Sequence, residues 1–307
     1  MDSAVTAPAP ALDKPLMHYG KRTLDRMAPG AVQPDYRLLD VRPLTPHIGA
    51  EIDGVDLSRP IGEDLAEEIR QALLEWKVLF FGGQDAFDPQ SQLAFAGLWG
   101  EPEENPFFPK GDTAGVTRLA KDAMVMGTEN IWHSDHSFMA APALGSVLRA
   151  IEVPSAGGDT MWADMAAAYD NLTDAMKDRI EGLTAVHDWV VSHGALMNES
   201  QRAAHRENLP AVEHPVVVRH PRTGRKVLYV NEPFTTRIVG LSDPESRELL
   251  DELVLQARIP EYQVRFRWQP GSVAVWDNIA TQHYAISDYF PQRRVMERIA
   301  IAGVPLS

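Results

Sequence analysis

The feature that most constrains the fold is the strand-rich second half of the chain. Short runs of β-branched and aromatic residues recur there, and turn sequences that contain glycine or proline separate them. The predicted strands are 146–153, 160–163, 216–219, 227–230, 262–268, 272–276 and 295–302. Because these strands do not alternate regularly with helices, the pattern favours a mainly β fold over a doubly wound sheet. We expect a sandwich or jelly roll with flanking helices.

Four helices are predicted around these strands. Residues 64–77 carry apolar side chains at every third or fourth position, which is typical of an amphipathic helix. Asp88 followed by Pro89 marks the start of a second helix, because aspartate caps helices and proline suits their first position. The third is predicted over residues 172–181, and Ser242 begins the fourth.

The domain organisation follows from the same patterns. Residues 36–307 are interpreted as a single domain. Residues 1–35 are rich in alanine and proline and lack periodicity, which predicts a flexible N-terminal arm. Residues 190–212 are polar and charged in the middle of strand-like sequence, and an insertion of this kind is predicted to be a lid or binding loop.

Composition excludes several classes of function. The net charge is -14, from 43 acidic and 29 basic residues, which argues against nucleic acid or an anionic membrane as a partner. The chain has no cysteine, so any bound metal must be held by histidine and carboxylate. No apolar stretch is long enough to cross a bilayer and the N-terminus lacks a signal-peptide pattern, so we expect a cytoplasmic protein.

A candidate metal site begins at the chain's one His-x-Asp triplet, His133-Ser134-Asp135. On an extended segment, the first and third side chains point to the same side and could bind one metal ion. A third ligand from a distant strand would complete two imidazoles and one carboxylate, an arrangement that leaves open positions on iron. By itself the triplet is weak evidence in a chain with ten histidines, and a hydrogen-bonded surface histidine is the alternative.

The C-terminal segment adds a second group of candidates. His283 follows an apolar strand, and Arg294 and Arg298 lie four residues apart on a strand-like run, so the two arginines share a face. Buried arginines are costly unless anions neutralise them, and a carboxylate can pair with a guanidinium through two hydrogen bonds. The alternative for each arginine is an ion pair with one of the acidic residues.

From about Leu39 to the C-terminus, the sequence resembles the TauD/TfdA family of Fe(II)- and 2-oxoglutarate-dependent dioxygenases. The resemblance rests on several motifs that occur in the same order. They are residues 48–57, the Trp-His-x-Asp motif at 132–135, Gly-Gly-Asp-Thr at 157–160, residues 229–239, and the block from His283 to Arg298.

This resemblance implies a double-stranded β-helix, or jelly roll, and a set of site residues. His133, Asp135 and His283 would bind Fe(II), while Thr160 and Arg294 would bind 2-oxoglutarate. Dioxygen would be the second cosubstrate, and Arg298 would lie deeper, near the substrate or cosubstrate. The implied reaction hydroxylates a small organic anion (a carboxylate, sulfonate or sulfate ester) and converts 2-oxoglutarate to succinate. The resemblance also implies a homo-oligomer, a dimer or tetramer.

The sequence departs from taurine dioxygenase at positions that face its substrate. Asn105 stands where that enzyme has a histidine and Phe108 where it has a tyrosine, which disfavours taurine. Glu129 replaces an asparagine, and His136 replaces a small apolar residue. The expected pocket lining, for which core packing is the alternative, is Asn105, Phe107, Phe108, Glu129, His136, Trp189, Phe234 and Arg298. We expect a substrate whose anionic group faces Arg298 and whose apolar body contacts the phenylalanines.

Three other functions compete with this hydroxylase. The same site could desaturate or remodel an amino-acid-like substrate in a biosynthetic pathway. A metal-binding jelly roll could act as a hydrolase or isomerase, which would not need Thr160 and Arg294 together. A non-catalytic binding protein is the third, although it would have no reason to keep all three metal ligands.

Overall fold

The computed structural model describes residues 35–105, 107, 113–195 and 197–306. The predicted N-terminal arm lies outside these residues except for its last position. The described residues form six α-helices and sixteen strands. The helices are α1 (Glu63–Trp76), α2 (Pro89–Ala96), α3 (Met165–Asp170), α4 (Asp174–Ile180), α5 (Glu199–Arg206) and α6 (Asp243–Val254).

The strands confirm a mainly β architecture. They are β1 (Asp40–Pro43), β2 (Ala50–Asp53), β3 (Val78–Phe81), β4 (Pro102–Glu103), β5 (Thr117–Lys121), β6 (Gly145–Glu152), β7 (Thr160–Asp164), β8 (Thr184–His187), β9 (Val212–Pro215), β10 (Val217–Arg219), β11 (Lys226–Leu228), β12 (Thr235–Ile238), β13 (Gln263–Phe266), β14 (Val273–Asp277), β15 (Thr281–Ala285) and β16 (Arg294–Ile301). All seven strands predicted in the second half occur, with ends shifted by at most two residues.

The four predicted helices also occur, and their caps explain where they start. The Asp88 side chain accepts a hydrogen bond from the backbone of Ser91 at the start of α2. Thr173 caps α4 in the same way, and Ser242 forms a capping box with Glu245 at the start of α6.

Two helices were not predicted, for opposite reasons. Helix α3 is buried on nearly all sides, so it shows no alternation of polar and apolar residues. Helix α5 has no buried residue and therefore no apolar face, although Asn198 and Gln201 form a capping box that marks its start. It occupies the middle of the 190–212 segment.

Two sheets pack face to face around the core that supports the site. The larger has the order β1-β2-β3-β14-β6-β16-β4, with β5 also paired to β16, and the smaller has the order β13-β7-β15. Trp162 of the smaller sheet contacts Phe80 and Trp276 of the larger one, with ring centroids 5.3 and 5.8 Å apart. Met296 of β16 belongs to the same buried cluster.

A third sheet has the order β12-β8-β9. Because β8 and β12 are antiparallel and His187 pairs with Thr235, the end of β8 lies beside the start of β12. The residues that follow His187 and those that precede Thr235 therefore emerge together. Among the described residues, no helix combines the length and the apolar character that a bilayer crossing requires.

Candidate active site

Three side chains that could bind a metal ion meet beside β15. His133 and His283 pair as an antiparallel bridge, with backbone hydrogen bonds of 3.0 and 2.8 Å. The Nε2 atom of His133 lies 3.8 Å from Oδ1 of Asp135, and Nε2 of His283 lies 3.9 Å from Oδ2. One ligand atom from each of the three residues lies within 4.8 Å of the other two. The strand pairing thus brings together the residues that are far apart in sequence.

Hydrogen bonds hold these ligands in position. The side chain of Asn278 accepts from the backbone N–H of Asp135 and donates to its carbonyl oxygen, both at 2.8 Å. The Nδ1 atom of His133 donates to the carbonyl oxygen of Ile131 at 2.8 Å, which leaves its Nε2 lone pair for a metal. The backbone of Asp135 and the ring of His133 are therefore held by neighbouring atoms.

The ionisation states suit metal binding. Burial alone would raise the pKa of Asp135, but the charges of Arg298, His283 and His133 outweigh it and hold that pKa well below its usual range. Burial, together with the charge of His133, lowers the pKa of His283 to about 3. A carboxylate and a neutral imidazole are the forms that bind metals, so the donor set fits a divalent ion such as Fe(II).

The two arginines of β16 project from the same face of the strand into the same cavity. Arg298 is buried, and its Nη1 donates to Oδ1 of Asp135 at 2.8 Å. Arg294 is also buried, and its Nε donates to the carbonyl oxygen of Gly158 at 3.2 Å. Glu297 points to the opposite face, where it pairs with other arginines. Arg298 therefore also helps to hold the carboxylate of the candidate metal site, a contact that the sequence did not predict.

Thr160 lies on the cavity wall near Arg294. Its hydroxyl oxygen accepts a hydrogen bond from the indole of Trp268 at 2.9 Å, so its own proton can be donated to another acceptor. Arg294 stands over the ring of Tyr289, 5.8 Å from the centroid, and burial lowers the pKa of this guanidinium. A buried cation beside a hydroxyl donor is a suitable site for a carboxylate.

All these side chains line one cavity of about 250 Å³. We call one side the metal wall, which consists of His133, Asp135, Thr160, His283, Arg294 and Arg298. Another part of the lining is the aromatic wall, which consists of Phe138, His193 and Phe234. Phe107, which was expected in the lining, is not part of it and packs against Phe138 and His193. The cavity therefore joins a cationic metal pocket to an apolar surface.

The family described as "Taurine catabolism dioxygenase TauD, TfdA family" matches residues 40–300. The chain belongs to the TauD/TfdA family. As a member, it is a 2-oxoglutarate-dependent dioxygenase. The family relationship agrees with the grouping of the two histidines and the aspartate around one point.

Similar proteins within the family have named activities. An alkylsulfatase from Acinetobacter baylyi is 39% identical over 281 residues, which cover 89% of this chain and 87% of that protein. An alpha-ketoglutarate-dependent sulfate ester dioxygenase from Pseudomonas putida is 39% identical over 282 residues, which cover 89% of this chain and 92% of that protein.

Solved structures show the same fold. A taurine dioxygenase from Burkholderia xenovorans superposes with a TM-score of 0.75 at 35% identity, over 87% of this chain and 90% of that one. The structure of AAD-2 in complex with Mn(II) and N-oxalylglycine has a TM-score of 0.75 at 32% identity, over 87% of this chain and 98% of that one.

Asn105 and His136, two of the positions that depart from taurine dioxygenase, line the cavity and contact each other. The Asn105 amide nitrogen lies 3.0 Å from Nε2 of His136, and its oxygen accepts from the backbone of Phe107 at 2.8 Å. Nδ1 of His136 lies 2.6 Å from a carboxylate oxygen of Glu103. Because the amide donates to Nε2, the proton of His136 is on Nδ1, and both its nitrogens have protein partners.

The other predicted substrate residues fall into three groups. Glu129 and Phe234 line the cavity, and Glu129 forms an ion pair of 2.6 Å with Lys121. Trp189 is fully buried outside the lining, and its indole donates to the carbonyl oxygen of Leu209 at 2.7 Å, which excludes direct contact with the cavity. Phe108 lies outside the described residues.

Sequence reasoning missed several residues that line the cavity. They include Lys121, Phe138, Ser192, His193, Ser287 and Tyr289. His193 belongs to the 190–212 segment, whose interruption of the strand pattern was the signal that could have pointed to it. The remaining residues lie in loops or at strand ends, where no periodic pattern indicates which way a side chain points.

Proposed function

We propose that the protein uses Fe(II) and 2-oxoglutarate to hydroxylate a small organic anion. In this proposal His133, Asp135 and His283 hold the iron, and Thr160 and Arg294 hold the distal carboxylate of 2-oxoglutarate. The observation that carries it is the convergence of an ionised carboxylate and two imidazole nitrogens beside a buried, cationic arginine. A hydrolase or isomerase would need the metal ligands but would not need Arg294 and Thr160 together.

The protein's own residues position and shield the reactants. With Fe(II) and 2-oxoglutarate bound, the site would supply the oxidative chemistry that places one oxygen atom on the substrate and another in succinate. Arg298 fixes Asp135 and presents positive charge to the substrate's anionic group. The aromatic wall packs against the apolar body and excludes water from the reacting carbon.

A sulfate ester is the first candidate among the possible anions. Two relatives at 39% identity are named for activity on sulfate esters or alkyl sulfates. Hydroxylation of the carbon that bears the sulfate oxygen would give an unstable product, which collapses to an aldehyde and releases sulfate. Desaturation or remodelling of an amino-acid-like substrate stays the alternative within the same chemistry.

We also make proposals about the fold, residues 190–212, the oligomeric state and the location of the protein. We infer that the two facing sheets form the jelly roll that the family resemblance implies. Residues 190–212 would act as a lid. Ser192 and His193 of this segment line the cavity, which supports that role. A homo-oligomer and a cytoplasmic location remain predictions.

Two measurements test the proposed function. Anaerobic addition of Fe(II) and 2-oxoglutarate to the purified protein should give a weak visible charge-transfer band. Alkyl sulfates, sulfonates and carboxylates should then be screened aerobically for succinate formation above the level without substrate. A folded protein that shows no band would contradict the oxygenase assignment, and a band without substrate-dependent succinate would contradict the proposed substrate class.

A further inference from the structure

We propose that His220 is a positioning residue for the candidate metal site and acts on it through Asp277. His220 does not line the active-site cavity and lies at the start of the turn between β10 and β11. Asp277 is the last residue of β14, just before the connection to β15. The inference rests on the proposed function, because it concerns the residues that would hold the iron, and it extends that function to a histidine outside the cavity.

The imidazole of His220 joins two turns. His220 and Asp277 are both buried, and Nε2 of the ring lies 2.7 Å from Oδ2 of the carboxylate. The other ring nitrogen, Nδ1, accepts from the backbone N–H groups of Arg222 and Thr223 at 3.3 and 3.1 Å. Because Nδ1 accepts, the ring proton is on Nε2, the nitrogen next to the carboxylate. The ring therefore connects the turn after β10 to Asp277.

Asp277 shapes the connection between β14 and β15, residues 277–281, which we call the ligand turn. Its Oδ1 atom accepts from the backbone N–H groups of Ile279 and Ala280 at 3.0 and 2.9 Å. Its carbonyl oxygen accepts from the hydroxyl of Thr281 at 2.7 Å. One carboxylate oxygen thus faces His220 while the other holds the backbone of the turn. A shift of this carboxylate would move the ligand turn with it.

The ligand turn is linked to all three candidate metal ligands. The side chain of Asn278 holds the backbone of Asp135 through two hydrogen bonds of 2.8 Å. The carbonyl oxygen of the last residue of the turn accepts from the hydroxyl of Ser134, also at 2.8 Å. Strand β15 then continues to His283, which pairs with His133. Small displacements of the turn should therefore change the distances between the ligand atoms.

Backbone hydrogen bonds also anchor the ligand turn. The N–H of Asp277 donates to the carbonyl oxygen of Lys77 at 2.9 Å, and the N–H of Asn278 donates to that of Leu144 at 3.0 Å. These bonds stay when the side chain of His220 is replaced, so the turn should still form. The expected consequence of a substitution is a displaced turn and a weaker metal site in a folded protein.

Two substitutions of His220 separate its two nitrogens, and calorimetry with Mn(II) alone measures the metal site. His220→Asn keeps an acceptor near the Nδ1 position but is too short to reach Asp277. His220→Gln places an amide nitrogen near the Nε2 position but loses the acceptor. We expect His220→Asn to bind Mn(II) roughly fivefold more weakly than the wild type, a smaller loss than for direct partners of a metal ligand. His220→Gln should recover most of that loss.

The matched control is Arg219→Ala. Arg219 is exposed, and its Nη1 donates to the carbonyl oxygen of Gly224 in the same turn at 3.4 Å. This variant should bind Mn(II) like the wild type, and urea titrations of the metal-free proteins should show that every variant is folded. Equal Mn(II) affinity of His220→Asn and the wild type would overturn the inference. Weaker binding by His220→Gln than by His220→Asn would also overturn it, because the turn after β10 would then matter more than Asp277.

A double-variant cycle tests the route through the ligand turn. In an Asn278→Ala background, His220→Asn should weaken Mn(II) binding by less than it does alone, because both changes act on the same turn. Fully additive losses would exclude that route. If His220→Asn does not fold, Asp277→Asn replaces it, since this change keeps an acceptor for the turn but places an amide nitrogen opposite Nε2 of His220. Unchanged Mn(II) binding by Asp277→Asn would then overturn the inference.

Failure of the proposed function is recognised separately. A wild type that binds Mn(II) but gives no charge-transfer band with Fe(II) and 2-oxoglutarate would contradict the oxygenase assignment, and the Mn(II) comparison would still decide the role of His220. A wild type that shows the band, with equal Mn(II) affinity in His220→Asn, would contradict the role of His220 alone. A folded wild type that binds no Mn(II) would overturn the inference, because there would be no metal site to position.

Discussion

The metal wall and the aromatic wall of the cavity are built in different ways. The metal wall is carried mainly by paired strands, where His283 aligns with Trp162 and Arg298 with Leu148. The aromatic wall is assembled from loops, and ring contacts hold Phe138, His193 and Phe234 together. Paired strands hold their residues in a fixed register, whereas loops can change with few consequences for the core.

This difference separates reaction chemistry from substrate choice. In the proposed reaction, residues on paired strands would hold the iron and 2-oxoglutarate. Residues on the loops would contact the apolar body of the substrate. Substitutions in the metal wall should therefore affect all substrates, and those in the aromatic wall should affect one class of substrate more than another. The following predictions test that separation.

The largest effect is expected for His133→Ala. Loss of one ligand should reduce succinate formation to background for every substrate and remove the anaerobic charge-transfer band, because two ligands cannot hold the metal. The variant should keep the wild-type circular dichroism spectrum, since the side chain lies at the cavity surface. His205→Ala is the control. Turnover in folded His133→Ala protein would contradict the metal assignment.

Arg294→Ala should come next. Loss of a charge-assisted pair should raise the KM for 2-oxoglutarate by roughly 10- to 100-fold, with a similar factor for every substrate. Arg293→Ala is the matched control, because the neighbouring arginine is half-exposed and pairs with Glu152 on the surface. An equal rise in KM for both variants would place the cosubstrate carboxylate elsewhere.

Asn278→Ala tests how the metal wall is positioned. The substitution removes the two hydrogen bonds that hold the backbone of Asp135, and we expect Fe(II) to bind about tenfold more weakly. An anaerobic iron titration followed at the charge-transfer band measures this affinity. Asn171→Ala, which removes a hydrogen bond near the end of α3, should leave iron binding unchanged. Equal iron affinity in the two variants would exclude a positioning role for Asn278.

The smallest effect concerns the sheet that supports the aromatic wall. Burial, with the charge of His214, lowers the pKa of His187 to about 3. The unfolded chain therefore binds a proton at His187 below about pH 6.5 that the folded chain does not. As the pH falls from 6 to 4, this difference at His187 alone should lower the free energy of unfolding by about 1.4 kcal/mol per pH unit.

His187→Phe should remove that share of the pH dependence. Urea titrations at several pH values measure the slope, and the wild type and variant should differ by about one proton between folded and unfolded states. The slope should be unaffected by substrate, because His187 does not line the cavity. Identical slopes in the two proteins would show that His187 titrates in the folded protein as it does in the unfolded chain.

Much of the fold followed from sequence, and the missed elements share physical causes. Long strands such as β6 and β16 were predicted because runs of buried apolar residues leave a clear pattern. Strands β4 and β5 were missed because they are short and largely polar. Their identity depends on pairing with β16, a contact between segments almost two hundred residues apart, which local periodicity does not encode.

The sequence alone determined which chemical groups the site contains. The His-x-Asp spacing and the four-residue spacing of the arginines placed side chains on common faces, because side chains alternate along a strand. Tertiary structure decided their neighbours. It paired Arg298 with Asp135 and Glu129 with Lys121, placed Trp189 behind the wall, and brought His193 into the cavity. These contacts join distant segments, so they depend on register and packing rather than on any local pattern.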